Sequence, residues 1–306
     1  MIARMPQLSR RALLRLGATT AAGVAGVYAI GTTLHSPSPP HDVTMTSGGA
    51  PLAPPPAAPP VPLEPAPAAV APTMATGSFV SAARGGISTN WAIARPPGQT
   101  KPLRAVIALH GKGGDAASVM AGGVEQGLAE LADAGSPPFA VVSVDGGGTY
   151  WHKRASGDDA GAMVLTELIP LMGEQGLDTS RVGFLGWSMG GYGALLLGAR
   201  LGPARTAAIC AVSPALWPSY GATAPGAFDS AEEWSSNSVL GLPALGSIPI
   251  RVDCGNSDPF YDATKNFIAQ LPTPPAGGFS PGGHDGGFWS AQLPAEMAWI
   301  APLLVA

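Results

Sequence analysis

From residue 105 onward the apolar side chains of this chain come in short unbroken runs instead of alternating with polar ones. They are Ala105 to Leu109, Phe139 to Val144, Val182 to Leu185, Ala207 to Val212, Ile248 to Cys254 and the brief Gly278-Phe279. Runs of this length without an in-and-out period read as strands buried on both faces. Between them lie stretches with helical spacing, near Ser118 to Ala132, Ala160 to Met172, Gly190 to Leu201, Asp262 to Leu271 and Trp289 to Leu304. Strands that are each followed by a helix predict an α/β fold, a mostly parallel central sheet with helices on both faces. Upstream, Phe79 to Ala83 and Ile87 to Ala94 flank Arg84-Gly85-Gly86 and predict an opening hairpin.

Before residue 77 the pattern changes twice. Ser9-Arg10-Arg11-Ala12-Leu13-Leu14-Arg15 precedes a run without charge from Leu16 to Leu34, so residues 1–36 read as a twin-arginine-type export signal or a membrane anchor. Residues 37–76 hold too few apolar side chains of any size to form a core. The stretch Pro37 to Pro72 carries 13 of the chain's 33 prolines and only Asp42 and Glu64 as charges, which predicts a disordered Pro/Ala-rich linker. The globular domain is then expected over 77–306, outside the cytoplasm and held at the membrane or in the envelope by its N-terminus. A net charge of −4 and the lack of a basic stripe argue against nucleic acid as a partner. Two cysteines, Cys210 and Cys254, cannot supply a disulfide scaffold or a zinc site, and each lies in an apolar run where a buried free thiol is expected.

The chemistry concentrates at Gly186-Trp187-Ser188-Met189-Gly190-Gly191, between the run Val182 to Leu185 and a helical stretch. A G-x-S-x-G between a strand and a helix is a nucleophile elbow, a turn so tight that glycine is required beside a serine forced outward. Ser188 is the candidate nucleophile. In an elbow-bearing sheet the acid and the base follow the serine in that order, and of the five histidines only His284 lies downstream, in Gly282-Gly283-His284-Asp285-Gly286-Gly287. Between them, Asp258 in Cys254-Gly255-Asn256-Ser257-Asp258-Pro259 falls just past a strand, where an acid can orient the imidazole; Asp262, at the start of the next helix, is the second candidate. Two backbone N–H groups are needed for an oxyanion. Met189 follows the nucleophile, and the glycine-rich loop His110-Gly111-Lys112-Gly113-Gly114 after Ala105 to Leu109 offers Lys112, with Gly111 as its neighbour.

Leu109-His110-Gly111, Val144-Asp145-Gly146-Gly147, the elbow, Cys254-Gly255-Asn256-Ser257-Asp258 and Gly283-His284-Asp285 together resemble the esterase D, tributyrin esterase and feruloyl esterase group of α/β-hydrolases. Phe288-Trp289-Ser290-Ala291-Gln292-Leu293 is similar to the segment after the catalytic histidine of exported mycolyltransferases, although Asp258 follows the esterase pattern for the acid. The resemblance spans roughly 77–306. It implies a Ser188, Asp258, His284 triad, oxyanion amides at Lys112 and Met189, and neither metal nor cofactor. It also puts Tyr150-Trp151-His152-Lys153-Arg154 among the loops that shape the pocket, so His110, Gly111, Trp151, His152, Trp187 and Trp217 are the candidate pocket residues. Ser213 to Ser238, rich in aromatics, is the expected cap, and Asp158-Asp159 reads as a helix cap, not a metal pair. The expected function is an exported serine ester hydrolase acting on short-chain, aryl or sugar esters. The alternatives are an acyltransferase to an envelope sugar or lipid, and a catalytically silent envelope-binding module.

Overall fold

The computed structural model describes residues 72–306; the signal or anchor expected over 1–36, and the linker up to residue 71, lie outside the described residues. The described chain is built on an eight-stranded sheet of order β1-β2-β4-β3-β5-β6-β7-β8. The strands are β1 (Met74–Ser81), β2 (Ile87–Ala94), β3 (Arg104–Leu109), β4 (Phe139–Val144), β5 (Asp178–Trp187), β6 (Thr206–Val212), β7 (Ile250–Gly255) and β8 (Ala276–Ser280). β1 and β2 form the predicted antiparallel hairpin, β2 pairs antiparallel with β4, and every later pairing is parallel. β4 and β6 are buried along their whole length, as runs without alternation require.

The hairpin begins earlier than the expected domain boundary at Gly77. Met74 pairs with Ala94, and the Arg95 amide donates to the Thr73 carbonyl, so residues assigned to the linker belong to the sheet. The pattern missed this because Met74, Ala75 and Thr76 follow directly on proline-rich sequence and carry no run of their own.

The helices cover both faces. α1 (Ala116–Ala121), α2 (Val124–Asp133) and α8 (Gly286–Leu304) pack on one side, where Val119, Leu128, Leu293, Met297 and Ile300 meet Val106, Leu185 and Ala208. α3 (Ala160–Met163), α4 (Ile169–Glu174), α5 (Met189–Leu201) and α7 (Tyr261–Gln270) lie on the other, with Met163, Leu168, Leu195, Leu197 and Phe267 against Ile107, Val142 and Ile209. A short α6 (Ala231–Ser236) sits in the long β6–β7 connection.

Two predicted helices are interrupted. Ser118 to Ala132 is split at Gly122-Gly123, where Gly123 takes φ of +101°, a conformation that glycine adopts without penalty. Ala160 to Met172 contains a π-helical turn over Val164–Leu168, in which the Ile169 amide donates to the Val164 carbonyl. Pro170 explains the turn, since it has no N–H to give and its ring would crowd the carbonyl of residue 166 in a regular helix. Among the described residues no helix is long and apolar enough to cross a membrane.

The order 4-3-5 matters for function. Strand order reverses between β4 and β5 about β3, and in open parallel sheets the crevice beyond the carboxyl ends of the strands at such a reversal is where ligands bind. The loops after β3, β5, β7 and β8 all open there, and they carry His110 to Gly114, Ser188, Asp258 and His284.

Candidate active site

Ser188 stands between β5 and α5 with φ +56° and ψ −117°, a sparsely populated conformation that costs on the order of 1–3 kcal/mol and persists only when its surroundings enforce it. The enforcement comes from glycine. A Cβ on Gly186 would lie 2.2 Å from the Gly190 carbonyl oxygen, and one on Gly190 would lie 1.9 Å from that of Leu109, so no other residue fits at either place. The Ser188 amide donates to the Val212 carbonyl at 2.9 Å, which ties the turn to β6.

His284 faces the serine from the opposite loop. Its Nε2 is 2.8 Å from Ser188 Oγ, and its Nδ1 is 2.8 Å from Asp258 Oδ2. The Asp258 side chain is fully buried, and its Oδ1 accepts the Phe260 amide at 2.8 Å. Burial pushes its pKa up, but the hydrogen bonds from His284 and from the Phe260 amide outweigh this and hold it below the usual aspartate value. An ionised carboxylate only accepts, so the imidazole carries its proton on Nδ1 and leaves Nε2 free to take one from the serine hydroxyl. The two loops are locked together by backbone: the Asn256 amide donates to Ser280 and the Ser257 amide to Gly282, at 2.8 and 2.9 Å. Asp262, the second candidate acid, is exposed on α7 and takes no part in this relay.

The backbone also aims two N–H groups. The carbonyl of Gly111 accepts from His110 Nδ1 at 2.8 Å and from the Gly114 amide at 3.0 Å. Across a planar trans peptide the N–H points opposite to the C=O, so anchoring this carbonyl turns the Lys112 amide outward. The Ser188 carbonyl is held in the same way by the amides of Tyr192 and Ala215, both at 3.0 Å, which turns out the Met189 amide. Neither amide donates to an acceptor among the described residues. His110 is therefore a positioning residue. Its Nε2 accepts the Gly146 amide at 2.9 Å, so the ring is neutral, in keeping with a pKa that burial lowers.

No protein-family model matches this sequence, and no curated protein matches it. Solved structures do match. A ferulic acid esterase superposes with a TM-score of 0.66 at 19% identity, covering 75% of this chain and 98% of its own. An S-formylglutathione hydrolase from Agrobacterium tumefaciens gives 0.63 at 20%, covering 76% and 95%. The fluorophosphonate-binding serine hydrolase F of Staphylococcus aureus gives 0.59 at 18%, covering 76% and 98%. The fold is that of the α/β-hydrolases.

The cleft over Ser188 in this α/β-hydrolase fold has a volume of about 620 Å³. Its walls are mostly apolar: Val119 of α1, Tyr150, Trp187, Phe260, and Trp289 and Leu293 of α8. Of the expected pocket residues, His110, Gly111 and Trp187 line it. Trp151, His152 and Trp217 do not. Tyr150 and Trp151 both take positive φ, +54° and +59°, and this reversal turns Tyr150 to the cleft and Trp151 into the core. Trp151 fills a space left by glycines, since a Cβ on Gly146 or Gly193 would come within 2.5 Å of its ring. His152 is buried, stacked on Phe228 at 4.9 Å, with Nδ1 3.0 Å from Glu233. Trp217 packs on Tyr150, Phe228 and Phe260 and borders a neighbouring cleft.

The expected cap, Ser213 to Ser238, contributes no residue to the walls of the catalytic cleft; it reaches the rim through Pro225, whose carbonyl accepts Lys112 Nζ at 3.3 Å. Asp159 does cap α3, accepting the Ala162 amide, whereas Asp158 forms a two-pronged pair with Arg84. The apolar wall residues that sequence reading missed are Val119, Phe260, Trp289 and Leu293. Trp289 and Leu293 are one turn apart, and starting α8 at Gly286 behind its Asp285 cap would have placed both on the face presented by the His284 loop.

Away from the cleft, the sulfur of Cys210 and carboxylate oxygens of Asp253 and Glu296 lie within 4.8 Å of one another beneath α8. Asp253 is already held by Arg251 at 2.6 and 3.1 Å, which leaves too few free donors to hold a metal ion. Cys210 and Cys254 are both buried and free. Glu296 is fully buried, and neither of its oxygens has a partner among the described residues. Burial, reinforced by Asp253 and opposed by Arg251, pushes its pKa far above the glutamate value. A carboxyl raised in the folded state binds its proton there while the unfolded chain releases it. Stability is therefore fullest below the unfolded pKa of about 4.3 and declines as pH rises from there toward the folded pKa, by up to about 1.4 kcal/mol per pH unit. Glu296→Gln removes that decline. Its melting temperature should match the parent protein near pH 4 and exceed it as pH rises above that, as thermal unfolding at a series of pH values would show; a constant offset at every pH would contradict this account.

Proposed function

We propose that this chain is a serine carboxylic ester hydrolase that works through an acyl-enzyme. The observation that carries this reading is the Ser188–His284–Asp258 relay with both links at 2.8 Å, placed at the mouth of an apolar cleft. His284 Nε2 takes the proton from Ser188 Oγ as that oxygen bonds to the ester carbonyl carbon. The carbonyl π pair moves onto oxygen, which is stabilised by the Lys112 and Met189 amides, while buried Asp258 balances the imidazolium. Collapse re-forms the carbonyl and breaks the bond to the alcohol oxygen, which leaves with the proton from His284. Water then repeats the sequence on the acyl-enzyme and frees the acid and Ser188. The apolar walls between α1 and α8 suit a short-chain or aryl acyl group.

The neighbours support this reading by what they are: a ferulic acid esterase, an S-formylglutathione hydrolase and a fluorophosphonate-binding serine hydrolase. Purified protein should release p-nitrophenol from p-nitrophenyl esters with an initial burst equal to the enzyme concentration, best with short acyl chains in a series from acetate to palmitate. Absence of turnover with every member would remove the reading.

The same proposal places the enzyme outside the cytoplasm, on the strength of Arg10-Arg11, the uncharged Leu16 to Leu34 and the proline-rich Pro37 to Pro72. Changing Arg10-Arg11 to Lys-Lys should strand the protein inside the cell, because the export receptor reads the pair as an address and positive charge alone does not serve. Fractionation of cells expressing the two forms checks this, and equal export of both would count against it.

A further inference from the structure

Beside the catalytic cleft lies a second one of about 470 Å³, and Phe260 lines both. The chemistry of the proposed reaction says which part of a substrate each can take. The departing alcohol oxygen must receive its proton from His284 Nε2, so the alcohol leaves along the histidine. His284 stands between two aromatic rings, Phe260 at 5.2 Å and Trp289 at 5.2 Å. The Trp289 side runs on into the apolar groove with Val119 and Leu293, and on the other side Phe260 is also a wall of the second cleft.

The second cleft is differently built. Trp217 is fixed as a rigid platform by edge or tilted contacts with Phe260 at 5.5 Å, Tyr150 at 5.6 Å and Phe228 at 6.0 Å, yet it stays partly exposed. Facing the same space are Asp262 and Asn266, four residues apart and so on one face of α7. Both are exposed, and the Asp262 carboxylate enters none of the ion pairs among the described residues. An aromatic plate flanked by a free carboxylate and a free amide matches a ring that is apolar on its C–H face and hydroxylated at its edge.

We propose that the cleft between Trp217 and the Asp262–Asn266 face of α7 binds the alcohol half of the substrate, and that this alcohol is a sugar. The inference rests on the ester-hydrolase reading and gives the exposed Asp262, which the relay does not use, a role in specificity. Phe260 then acts as the divider that sends the acyl group one way and the sugar the other.

The test compares two butyrate esters with the same acyl group, methyl butyrate and a glucose ester acylated at the primary hydroxyl. The intact enzyme should favour the glucose ester in kcat/KM by about tenfold or more, the gain of one or two hydrogen bonds and a stacking contact. Trp217→Ala should erase that preference, and Trp217→Phe should restore part of it. Trp217 is packed among aromatics, so Asp262→Ala and Asn266→Ala, both at exposed positions, provide variants that keep the fold and should each lower only the glucose ester's kcat/KM. Equal rates on the two esters in the intact enzyme, or parallel losses on both esters in every variant, would overturn the sugar cleft and leave the hydrolase reading standing. Failure of the intact enzyme to cleave either ester would overturn both.

Discussion

Ser188→Ala and His284→Ala are each expected to lower kcat by roughly 10⁴- to 10⁶-fold, and the double variant to be little worse than either. The reason is the single chain of hydrogen bonds. Without Oγ nothing forms the acyl bond, and without the imidazole Oγ keeps its proton at neutral pH. Removing the second member of a pair that acts as a unit therefore removes nothing further. What survives comes from the Lys112 and Met189 amides and from binding in the cleft. Neither change should cost much stability: Ser188 is held by its backbone bond to Val212 and by the glycines around it, and His284 is partly exposed on a loop fixed by bonds to 256 and 257. Single-turnover kinetics on the folded variants check this. Near-normal turnover by Ser188→Ala would exclude the mechanism, and multiplicative losses in the double variant would show that the two side chains act independently.

Asp258→Asn is expected to cost about 10⁴-fold in kcat with the fold intact. The structure gives the reason in atomic terms. Oδ1 of residue 258 faces the Phe260 amide, a donor, so the asparagine carbonyl must take that place and its NH₂ must face His284 Nδ1. A donor there forces the imidazole into the tautomer with its proton on Nε2, which then cannot accept from Ser188. The variant should keep the parent's melting behaviour to within the loss of a charged hydrogen bond, about 1.5–3 kcal/mol. Asp262→Asn should leave the turnover of a simple methyl ester unchanged. If Asp258→Asn stays active while Asp262→Asn loses activity on that ester, the acid of the relay is misassigned.

Legibility in the sequence followed the range of the interaction. The unbroken runs at 139–144 and 207–212 announced strands buried on both sides because burial on two faces is a property of each run alone. Helix interruptions were less legible, although their agents were present: Gly122-Gly123 splits one helix, and Pro170 forces a π turn in another without ending it. The start of β1 at Met74 could not be read, since those residues become a strand only by pairing with Ala94 and its neighbours.

The same division runs through the site. By itself the sequence determined the elbow, because the glycines at 186 and 190 are demanded by contacts the local turn creates, and it determined the order of serine, acid and histidine along the chain. It also supplied the glycine-rich loop after β3. Only the tertiary structure decided which of two acids four residues apart meets the histidine: Asp258 turns inward against the Phe260 amide, and Asp262 turns out on α7. Only the tertiary structure decided that Tyr150 and not Trp151 faces the cleft, because the direction of each ring depends on a left-handed reversal and on a space bounded by Gly146 and Gly193, residues distant in sequence. The walls at Val119, Phe260 and Leu293 belong to three separate segments, and no local pattern records that a fold will bring them together around one serine. Chemistry needs particular atoms and leaves a mark in residue type; the shape of a pocket needs only bulk from whichever segment arrives, and that is settled by packing.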